Sequence, residues 1–251
     1  MSQLNKAKHF AALHKQGTPI LLYNAWDAGS AKAIVDAGAK AIATSSWSVA
    51  AAQGFKDGED LPLAFAEQIF GRIVATIDVP ISVDFEGGYS DDDRKLAANV
   101  VKLLDLGIIG INFEDRVVKG KGLYDIDRQA KRIATIRQAA EQKGIPLFIN
   151  ARTDVFLGNG NDVDEALRRS QAYASAGASG FFVPGLTASD QIQRVVKEST
   201  LPVNVMVMEG LPSNENLSQL GVARVSYGAL PYIELMGTLR REASTLLGRP
   251  Q

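Results

Sequence analysis

Residues 80–115 read PISVDFEGGYSDDDRKLAANVVKLLDLGIIGINFED, and this stretch decides how the chain is expected to fold. A largely apolar run, PISVDFE (80–86), leads through a helical pattern, RKLAANVVKLLDLG (94–107), into a second run, IIGINFED (108–115). Apolar runs that are continuous rather than alternating are typical of strands buried on both faces, as in parallel sheets. The stretch therefore predicts a strand, a helix and a second, parallel strand.

The same pattern repeats along the whole chain. Six more runs are predicted as strands: PILLYNA (19–25), KAIATSS (40–46), PLFINARTD (146–154), SGFFVPG (179–185), LPVNVMV (201–207) and ARVSYG (223–228). Helical patterns occupy residues 30–38, 65–77, 125–144, 162–177, 189–199 and 231–248, and an N-terminal helix is expected at about 3–16. Eight repeats predict an α/β fold, a closed (β/α)8 TIM barrel, as a single domain over residues 1–251. The alternative is an open doubly wound sheet, but its G-x-G-x-x-G fingerprint after the first strand is absent.

Composition excludes several classes of function. The chain has 27 Lys plus Arg and 28 Asp plus Glu, and a balance near −1 predicts neither a nucleic-acid nor a membrane partner. It has no cysteine, which removes thiolate metal sites and a Cys nucleophile. Its two histidines, His9 and His14, both lie near the N-terminus, so a Ser-His-Asp triad is not expected. No signal peptide or apolar span is recognised, and a cytoplasmic location is expected.

Polar side chains gather where the predicted strands end, the face on which barrel enzymes carry their active sites. Asp84 and Glu86 lie two apart, which places both on one side of a strand, and Glu114 ends the next strand. Three converging carboxylates need protons or a cation, and an all-oxygen set suits Mg²⁺, or Mn²⁺. The alternative is that these are ordinary loop carboxylates paired with Arg94 or Arg116.

Other strand ends and loops supply candidates for substrate binding. Arg152 offers a planar fork for a carboxylate or phosphonate, or it braces Asp154 inside the barrel mouth, and both roles can hold together. The Ser45-Ser46-Trp47 turn could present backbone N–H groups to a small anion, or it is a plain turn before a helix. No Lys ends a strand, which disfavours a Schiff-base aldolase.

Taken together, the motifs resemble those of the isocitrate lyase/phosphoenolpyruvate mutase superfamily. The resemblance covers nearly the whole chain, and its carriers are NAWDAGSAKAIVDAGAKAIATSSWSVAAAQGFKDG (24–58), VDFEGGYS (83–90), INFED (111–115), INARTD (149–154), GASGFFVPG (177–185) and LGVARVSYG (220–228). The order and spacing of these pieces together are specific, whereas any one alone is weak. The resemblance implies a (β/α)8 barrel, Mg²⁺, and 2-oxo acids or their enolate equivalents as substrates.

Roles for individual residues follow from the resemblance, motif by motif. It implies that Asp84 holds Mg²⁺, with Glu86 and Glu114 supporting the ion directly or through water. It places Asp57, otherwise read as a surface turn residue, beside the metal and substrate as a catalytic group together with Arg152. The remaining implied substrate-binding residues are Ser45, Ser46, Trp47 and Asn204.

Departures from the superfamily pattern narrow the expected reaction. The stretch after Glu114-Asp115, RVVKGKGLYD (116–125), lacks the K-K-C-G-H gating loop of isocitrate and methylisocitrate lyases, and it also lacks the longer, Asn-containing gating loop of the mutase and phosphonopyruvate hydrolase branch. The chain is therefore similar to a phosphoenolpyruvate phosphonomutase-like branch without the catalytic Cys loop, and its exact branch is left open. Lys119 and Lys121 are its cationic candidates for a gating loop, and a solvated glycine-rich loop is the alternative. Ser46 and Ser90 stand where the superfamily has Gly, which leaves the pocket shape open.

The hypothesis is a Mg²⁺-dependent lyase that cleaves a C–C bond next to an enolate in a small 2-oxo acid, similar to an oxaloacetate decarboxylase or hydrolase. The alternatives are phosphonopyruvate hydrolase or mutase-type P–C chemistry, and a non-catalytic 2-oxo acid binding protein. The resemblance also implies a homodimer or homotetramer, with the C-terminal helix exchanged between subunits as one arrangement. The apolar positions of residues 231–248 recur at roughly helical spacing, so one face of that helix needs a partner, which could equally be its own barrel.

Overall fold

The computed structural model describes residues 1–157 and 160–248, and the other five residues of the predicted domain lie outside it. Eight parallel strands form a single sheet in a nearly closed barrel, which confirms the predicted (β/α)8 TIM barrel. The strands are β1 (Ile20–Leu22), β2 (Ile42–Ala43), β3 (Ile81–Asp84), β4 (Gly110–Glu114), β5 (Phe148–Arg152), β6 (Gly180–Phe182), β7 (Val203–Met206) and β8 (Arg224–Ser226). Each lies inside one of the predicted runs.

The sheet order β1-β8-β7-β6-β5-β4-β3-β2 leaves β1 and β2 as the two ends that must meet. They meet through an isolated parallel bridge between Ala25 and Thr44, in which the Ala25 N–H donates to the Ala43 carbonyl oxygen over 2.8 Å. In register, Asp84 pairs with Asn112, which pairs with Asn150, so equivalent positions of β3, β4 and β5 share one level of the barrel. Glu114 and Arg152 pair one level nearer the carboxyl ends.

Ten helices are present in the described residues: α1 (Gln3–Ala12), α2 (Ala28–Asp36), α3 (Ser46–Ala52), α4 (Leu63–Thr76), α5 (Asp93–Asp105), α6 (Ile126–Gln142), α7 (Val163–Ser175), α8 (Ser189–Glu198), α9 (Asn214–Gln219) and α10 (Leu230–Leu246). Asp or Ser side chains cap the N-termini of α2, α3, α5, α6, α7 and α9, accepting from backbone N–H groups that lack partners within the helix. None of these helices is long and apolar enough to cross a membrane.

Three helix predictions differ from the structure. The short helices α3 and α9 were not predicted as separate elements, because seven and six residues are too few to show a helical period. Helix α1 ends at Ala12, earlier than the predicted 16, because the chain turns there: the Leu13 N–H bonds back to Phe10, and Lys15 bridges Thr18.

The barrel interior is apolar at its floor and polar higher up. Phe10 of α1 packs beneath the barrel against Phe148 of β5, with ring centroids 5.3 Å apart, and buried Leu22 and Ala43 join the same cluster. Above this floor the buried interior positions include Asn112, Asn150, Asn204, Arg224 and Ser226. The apolar floor closes the amino-terminal end, so a ligand can enter only from the carboxyl ends of the strands.

Candidate active site

The centre of the candidate site is Asp84, the last residue of β3. Its backbone N–H donates to Thr44 Oγ1 over 2.9 Å, which ties the end of β3 to the end of β2. Its Oδ2 accepts from the Ser46 backbone N–H (3.1 Å) and lies 2.9 Å from Ser46 Oγ, whereas its Oδ1 is buried without a hydrogen-bond partner. A buried carboxylate oxygen left unpaired in this way is costly unless a cation or water binds it.

Ser46 connects Asp84 to Asp57. Its Oγ lies 3.0 Å from Asp57 Oδ1 as well as 2.9 Å from Asp84 Oδ2. A hydroxyl carries one proton, so it can donate to only one of these carboxylates at a time. Asp57 stands at the open rim, where desolvation by surrounding protein and the charge of Asp84 raise its pKa. Of the two carboxyls that share the Ser46 hydroxyl, Asp57 is therefore the one suited to be protonated.

Glu86 is buried beside this pair, but not as the sequence suggested. Strand β3 ends at Asp84, and Glu86 has a left-handed backbone with φ of +49°, so the prediction that both carboxylates project from one strand face was wrong. Its Oε2 accepts from the Glu59 backbone N–H over 2.8 Å. Burial, followed by the charges of Asp84 and Asp57, raises the pKa of Glu86 to about 8. The turn that places it is held by Gly88, whose φ of +84° and close contact with Leu96 leave no room for a Cβ.

Glu114 and Arg152 form an ion pair at the ends of β4 and β5. Arg152 Nη1 lies 3.0 Å from Glu114 Oε2, while its Nε and Nη2 bond to the Asp154 carboxylate at 2.6 and 3.0 Å. The predicted Arg–Asp brace is therefore present. Burial raises the pKa of Glu114 well above its usual range, although Arg152 opposes this effect. The neighbouring carboxylates hold Arg152 firmly protonated despite its burial.

A cavity of about 210 Å³ opens at this end of the barrel. Six of the predicted site residues line it, namely Ser45, Ser46, Trp47, Asp57, Asp84 and Arg152. The other lining residues are Asn24, Thr44, Asn112, Phe182, Met206, Ser226, Gly228 and Ala229. Other hollows in the described residues are of similar or larger size, but this one contains the chemistry-bearing strand ends, so we assign the site here.

Three predicted site residues lie outside the cavity lining. Glu86 and Glu114 stand behind the lining residues, and Asn204 of β7 lies deeper, hydrogen-bonded to Ser226 Oγ at 3.2 Å. Within residues 1–157 and 160–248, no three acidic or histidine side chains converge closely enough to form a ready-made metal cluster. Asp84 Oδ1 is a buried carboxylate oxygen without a hydrogen-bond partner, so it is suited to bind a cation, and support by Glu86 and Glu114, directly or through water, stays a prediction.

Two residues near the cavity were missed in the sequence. Asn112 lines its floor, and Arg224 lies fully buried beneath, although both sit in runs that were read simply as strands. The signal was present, because a polar or charged residue in the middle of a buried strand of a barrel is unusual.

The loop after β4 is folded as a hairpin. Arg116 bridges Leu123, and the Val117 N–H donates to the Gly122 carbonyl oxygen over 3.0 Å. Lys119 at its tip donates from Nζ to the Gly58 carbonyl oxygen over 2.7 Å, next to Asp57 in sequence. Lys121 makes no hydrogen bond with the described residues. Of the two lysines, Lys119 is thus the one that connects this loop to the cavity rim.

Comparison with known proteins decides the family. A family model described as phosphoenolpyruvate phosphomutase matches residues 10–247 of the chain. The chain belongs to the phosphoenolpyruvate phosphomutase family. This membership confirms the resemblance to the isocitrate lyase/phosphoenolpyruvate mutase superfamily.

Two proteins resemble the chain over most of its length. The crystal structure of a Burkholderia cenocepacia J2315 protein described as a "putative phosphonomutase" matches with a TM-score of 0.93 and 45% identity, over 96% of this chain and 99% of that one. An uncharacterized protein of Mycobacterium tuberculosis strain H37Rv is 36% identical over 224 residues, which are 89% of this chain and 83% of that protein.

More distant relatives carry named activities. The oxaloacetate decarboxylase of Pseudomonas syringae pv. tomato DC3000 is 29% identical over 194 residues, 73% of this chain and 65% of that protein. A phosphonopyruvate hydrolase, in complex with oxalate and Mg²⁺, has the same fold with a TM-score of 0.86 and 21% identity, over 99% of this chain and 89% of that one. The proteins similar to this chain in sequence or in fold thus include an oxaloacetate decarboxylase and a phosphonopyruvate hydrolase.

Proposed function

We propose that the protein is a Mg²⁺-dependent lyase that cleaves a small 2-oxo acid at the C–C bond whose breakage leaves an enolate, with oxaloacetate and its C3–C4 bond as the model. The observation that carries this proposal is the unpaired, buried Oδ1 of Asp84 at the wall of a cavity that also presents Asp57 and Arg152. The family relatives named for oxaloacetate decarboxylation support the substrate class.

The residues at the centre fit a hard divalent cation. Asp84 Oδ1 would hold the ion directly, and the buried carboxyls of Glu86 and Glu114 would hold its water ligands. Mg²⁺ suits this all-oxygen set, keeps several waters, and is the ion present in the phosphonopyruvate hydrolase complex, while Mn²⁺ is an acceptable substitute. When bound, the cation supplies electrostatic stabilisation of the negative charge that develops on the keto oxygen.

The N-cap and first turn of α3 are suited to bind the carboxylate next to the keto group. The Ser46 backbone N–H is engaged by Asp84 and the Ser48 N–H by Ser45 Oγ, which leaves the Trp47 N–H without a hydrogen-bond partner among the described residues. The first N–H groups of a helix have no acceptor within the helix, so this donor is available to an anion. Trp47 itself is packed against Tyr232 of α10, with ring centroids 6.0 Å apart, and this contact holds the turn in place.

The opposite wall favours C–C cleavage over phosphonate chemistry. Arg152 is the only cation among the lining residues that the structure describes, and two carboxylates already engage it. The rest of this wall is uncharged and includes Phe182 and Met206. A phosphonate dianion would find little compensating charge there. A carboxylate in the same position would be weakly solvated, which favours its loss as neutral CO₂.

The proposed reaction balances without a further reactant. The C3–C4 bond of oxaloacetate breaks, its electron pair moves into the C2–C3 bond, and the keto oxygen becomes an enolate oxygen while CO₂ leaves. A proton then adds to C3 to give pyruvate. Asp57 can hold that proton on its carboxyl because its pKa is raised, and the Ser46 hydroxyl orients the carboxyl toward the cavity.

A turnover screen tests the proposal. Purified protein with Mg²⁺ is offered oxaloacetate, phosphonopyruvate, phosphoenolpyruvate and substituted malates, each with and without EDTA, with Asp84→Ala as the control. Pyruvate release from oxaloacetate that requires both Mg²⁺ and Asp84 is the expected result. Turnover of phosphonopyruvate alone would instead establish P–C chemistry. If no substrate turns over while 2-oxo acids still raise the melting temperature with Mg²⁺, the lyase proposal is wrong and a binding protein remains.

A further inference from the structure

Beneath the cavity floor lies a buried arginine, Arg224 of β8, that the proposed chemistry does not use. Its Nη2 donates to Asn112 Oδ1 over 3.1 Å and its Nε donates to Ser226 Oγ over 3.2 Å. It is fully buried, and no carboxylate of the described residues lies within ion-pairing distance of it. A buried guanidinium without a carboxylate partner is expensive to maintain, so its position calls for a reason beyond packing.

The residue that Arg224 contacts, Asn112, forms part of the cavity floor. Its Oδ1 accepts from Arg224 Nη2 and from Asn150 Nδ2, the latter over 2.8 Å. An amide oxygen has two lone pairs, so this end of the side chain is fully used. Its Nδ2 makes no hydrogen bond with the described residues. The amide of Asn112 therefore turns its oxygen down to Arg224 and has its two N–H groups left for the cavity.

Of the two donors to Asn112 Oδ1, Asn150 is an amide that could present either its N–H or its oxygen, whereas a guanidinium can only donate hydrogen bonds. Arg224 is therefore the partner that fixes the orientation. The Asn112 amide must therefore point its oxygen at Arg224. If the amide were flipped, its N–H groups would face the N–H groups of the guanidinium. Without the arginine, the amide could rotate and present its oxygen to the cavity, where it would repel an anionic ligand. The positive charge of Arg224 adds to the effect, and the nearby charge of Asp84 offsets only part of it because the two groups form no ion pair.

We propose that Arg224 is a positioning residue that fixes Asn112 as a hydrogen-bond donor on the cavity floor, and that Asn112 thereby binds an anionic oxygen of the 2-oxo acid. This inference rests on the proposed function, because it assumes an anionic ligand in the cavity. It adds a substrate-binding residue, Asn112, and a specificity determinant, Arg224. It also accounts for a polar layer in the barrel interior where apolar side chains are usual.

The test measures oxalate binding by calorimetry in the presence of Mg²⁺, because oxalate is a stable dianion shaped like the enolate of pyruvate. Four proteins are compared: wild type, Asn112→Ala, Arg224→Met and the double variant. We expect each single variant to weaken oxalate binding by about 10- to 100-fold, the loss typical of a hydrogen bond to a charged group. The double variant should be little weaker than either single variant, since Arg224 acts through Asn112.

Arg137→Met is the matched control. Arg137 is also a partly buried arginine, but it holds the Gly177 carbonyl and Ser179 Oγ outside the cavity, at 2.9 Å each. It should bind oxalate like the wild type. If Arg224→Met does not fold, Arg224→Lys and Arg224→Gln replace it: lysine is donor-only and should retain more affinity than glutamine, whose oxygen can accept from a flipped Asn112.

The outcomes separate this inference from the proposed function. A wild-type protein that does not bind oxalate with Mg²⁺ overturns the proposed function, and this inference with it. A wild type that binds while Asn112→Ala binds equally well overturns this inference alone. Losses that simply add in the double variant, or equal affinities for Arg224→Lys and Arg224→Gln, would show that Arg224 does not act through the orientation of Asn112.

Discussion

At the scale of single residues, the site brings several carboxyl groups close enough for their negative charges to repel one another. Burial, followed by the charge of Asp84, raises the pKa values of Asp57 and Glu86. Burial also raises the pKa of Glu114, and Asp84 adds a smaller effect there. Ser46 offsets part of this repulsion by donating to Asp84 from its backbone N–H. This arrangement of carboxylates costs stability in the protein without a metal, and we propose that it serves to bind a cation.

Asp84→Asn should separate stability from function. Removal of the charge lowers the pKa of Glu86 and Glu114, so the metal-free variant should melt at the same temperature as the wild type or higher. Turnover should fall by at least ~100-fold, because loss of even an outer-shell partner of a metal costs 10- to 100-fold. Melting curves with and without Mg²⁺, together with pyruvate release, measure both effects.

The control is Asp105→Asn. Asp105 is exposed and pairs with Lys143 Nζ over 2.6 Å at the other end of the barrel. Its loss should leave turnover and the Mg²⁺-dependent change in melting temperature unaltered. A variant of Asp84 that keeps full Mg²⁺-dependent turnover would contradict the assigned role.

At the scale of elements, the N-terminal segment seals the barrel floor with a histidine. The ring of His14, just after α1, stacks on Phe148 with centroids 4.0 Å apart, and its Nδ1–H donates to the Phe10 carbonyl oxygen over 2.9 Å. Burial, followed by the charge of Arg224, lowers the pKa of His14 to about 3. The folded state therefore requires this imidazole to be neutral.

This histidine should make the fold acid-sensitive. Because the folded pKa lies below the unfolded value of 6.5, the unfolded chain binds the extra proton. The contribution is fully present above pH 6.5 and is lost as the pH falls toward 3, at a cost of about 2 to 3 kcal/mol between pH 6.5 and 4.5. His14→Phe, which preserves the stacked ring, should lose less unfolding free energy over that interval in denaturant titrations. Equal losses in both proteins would show that His14 is protonated in the folded state.

Of the two lysines in the hairpin after β4, we expect only Lys119 to affect turnover. Lys119→Met removes the bond to the Gly58 carbonyl beside Asp57, and kcat/KM should fall by about 3- to 10-fold, the weaker end of the range for a charged hydrogen bond because the pair is exposed. Lys121→Met, in the same hairpin, should stay within about twofold of wild type. Steady-state kinetics on the productive substrate decide this. Equal effects of the two substitutions would indicate that the hairpin is a solvated glycine-rich loop without a role in the reaction.

The sequence predicted elements well where burial imposed a pattern. All eight strands fall inside predicted runs, because strands covered on both faces are continuously apolar. It failed where geometry departs from a regular element. Glu86 could not be placed, since the left-handed turn that follows Asp84 is not visible in a two-residue spacing. The orientation of Asn112 depends on Arg224, which follows it by 112 positions, so no local pattern reveals it.

At the scale of the whole molecule, the C-terminal helix is poorly covered. In α10 only Pro231 is buried, while Leu235 and Leu239 are 50% and 58% exposed. The start of the helix packs on the cavity rim, where Tyr232 contacts Trp26 with centroids 5.2 Å apart. The apolar face beyond it suits the homodimer or homotetramer implied by the superfamily resemblance, and we propose that α10 supplies that interface.

Leu235→Glu combined with Leu239→Glu should disrupt such an assembly. A charge buried in an apolar interface is strongly unfavourable, so the variant should sediment as a 26.9 kDa monomer while the wild type sediments as a dimer or tetramer. Arg240→Glu, on an exposed position of the same helix, controls for charge alone. A wild-type protein that sediments at the monomer mass would contradict the proposed interface.

We propose above all that Asp84 Oδ1 holds a divalent cation at the wall of a 2-oxo acid cavity. Its most direct test is a crystal structure with Mn²⁺ and oxalate, in which anomalous scattering locates the ion. We expect one anomalous peak within coordination distance of Asp84 Oδ1, with oxalate oxygens on the same ion and with water molecules joining the ion to Glu86 and Glu114. No peak at Asp84, or an ion bound elsewhere while oxalate fills the cavity, would contradict it.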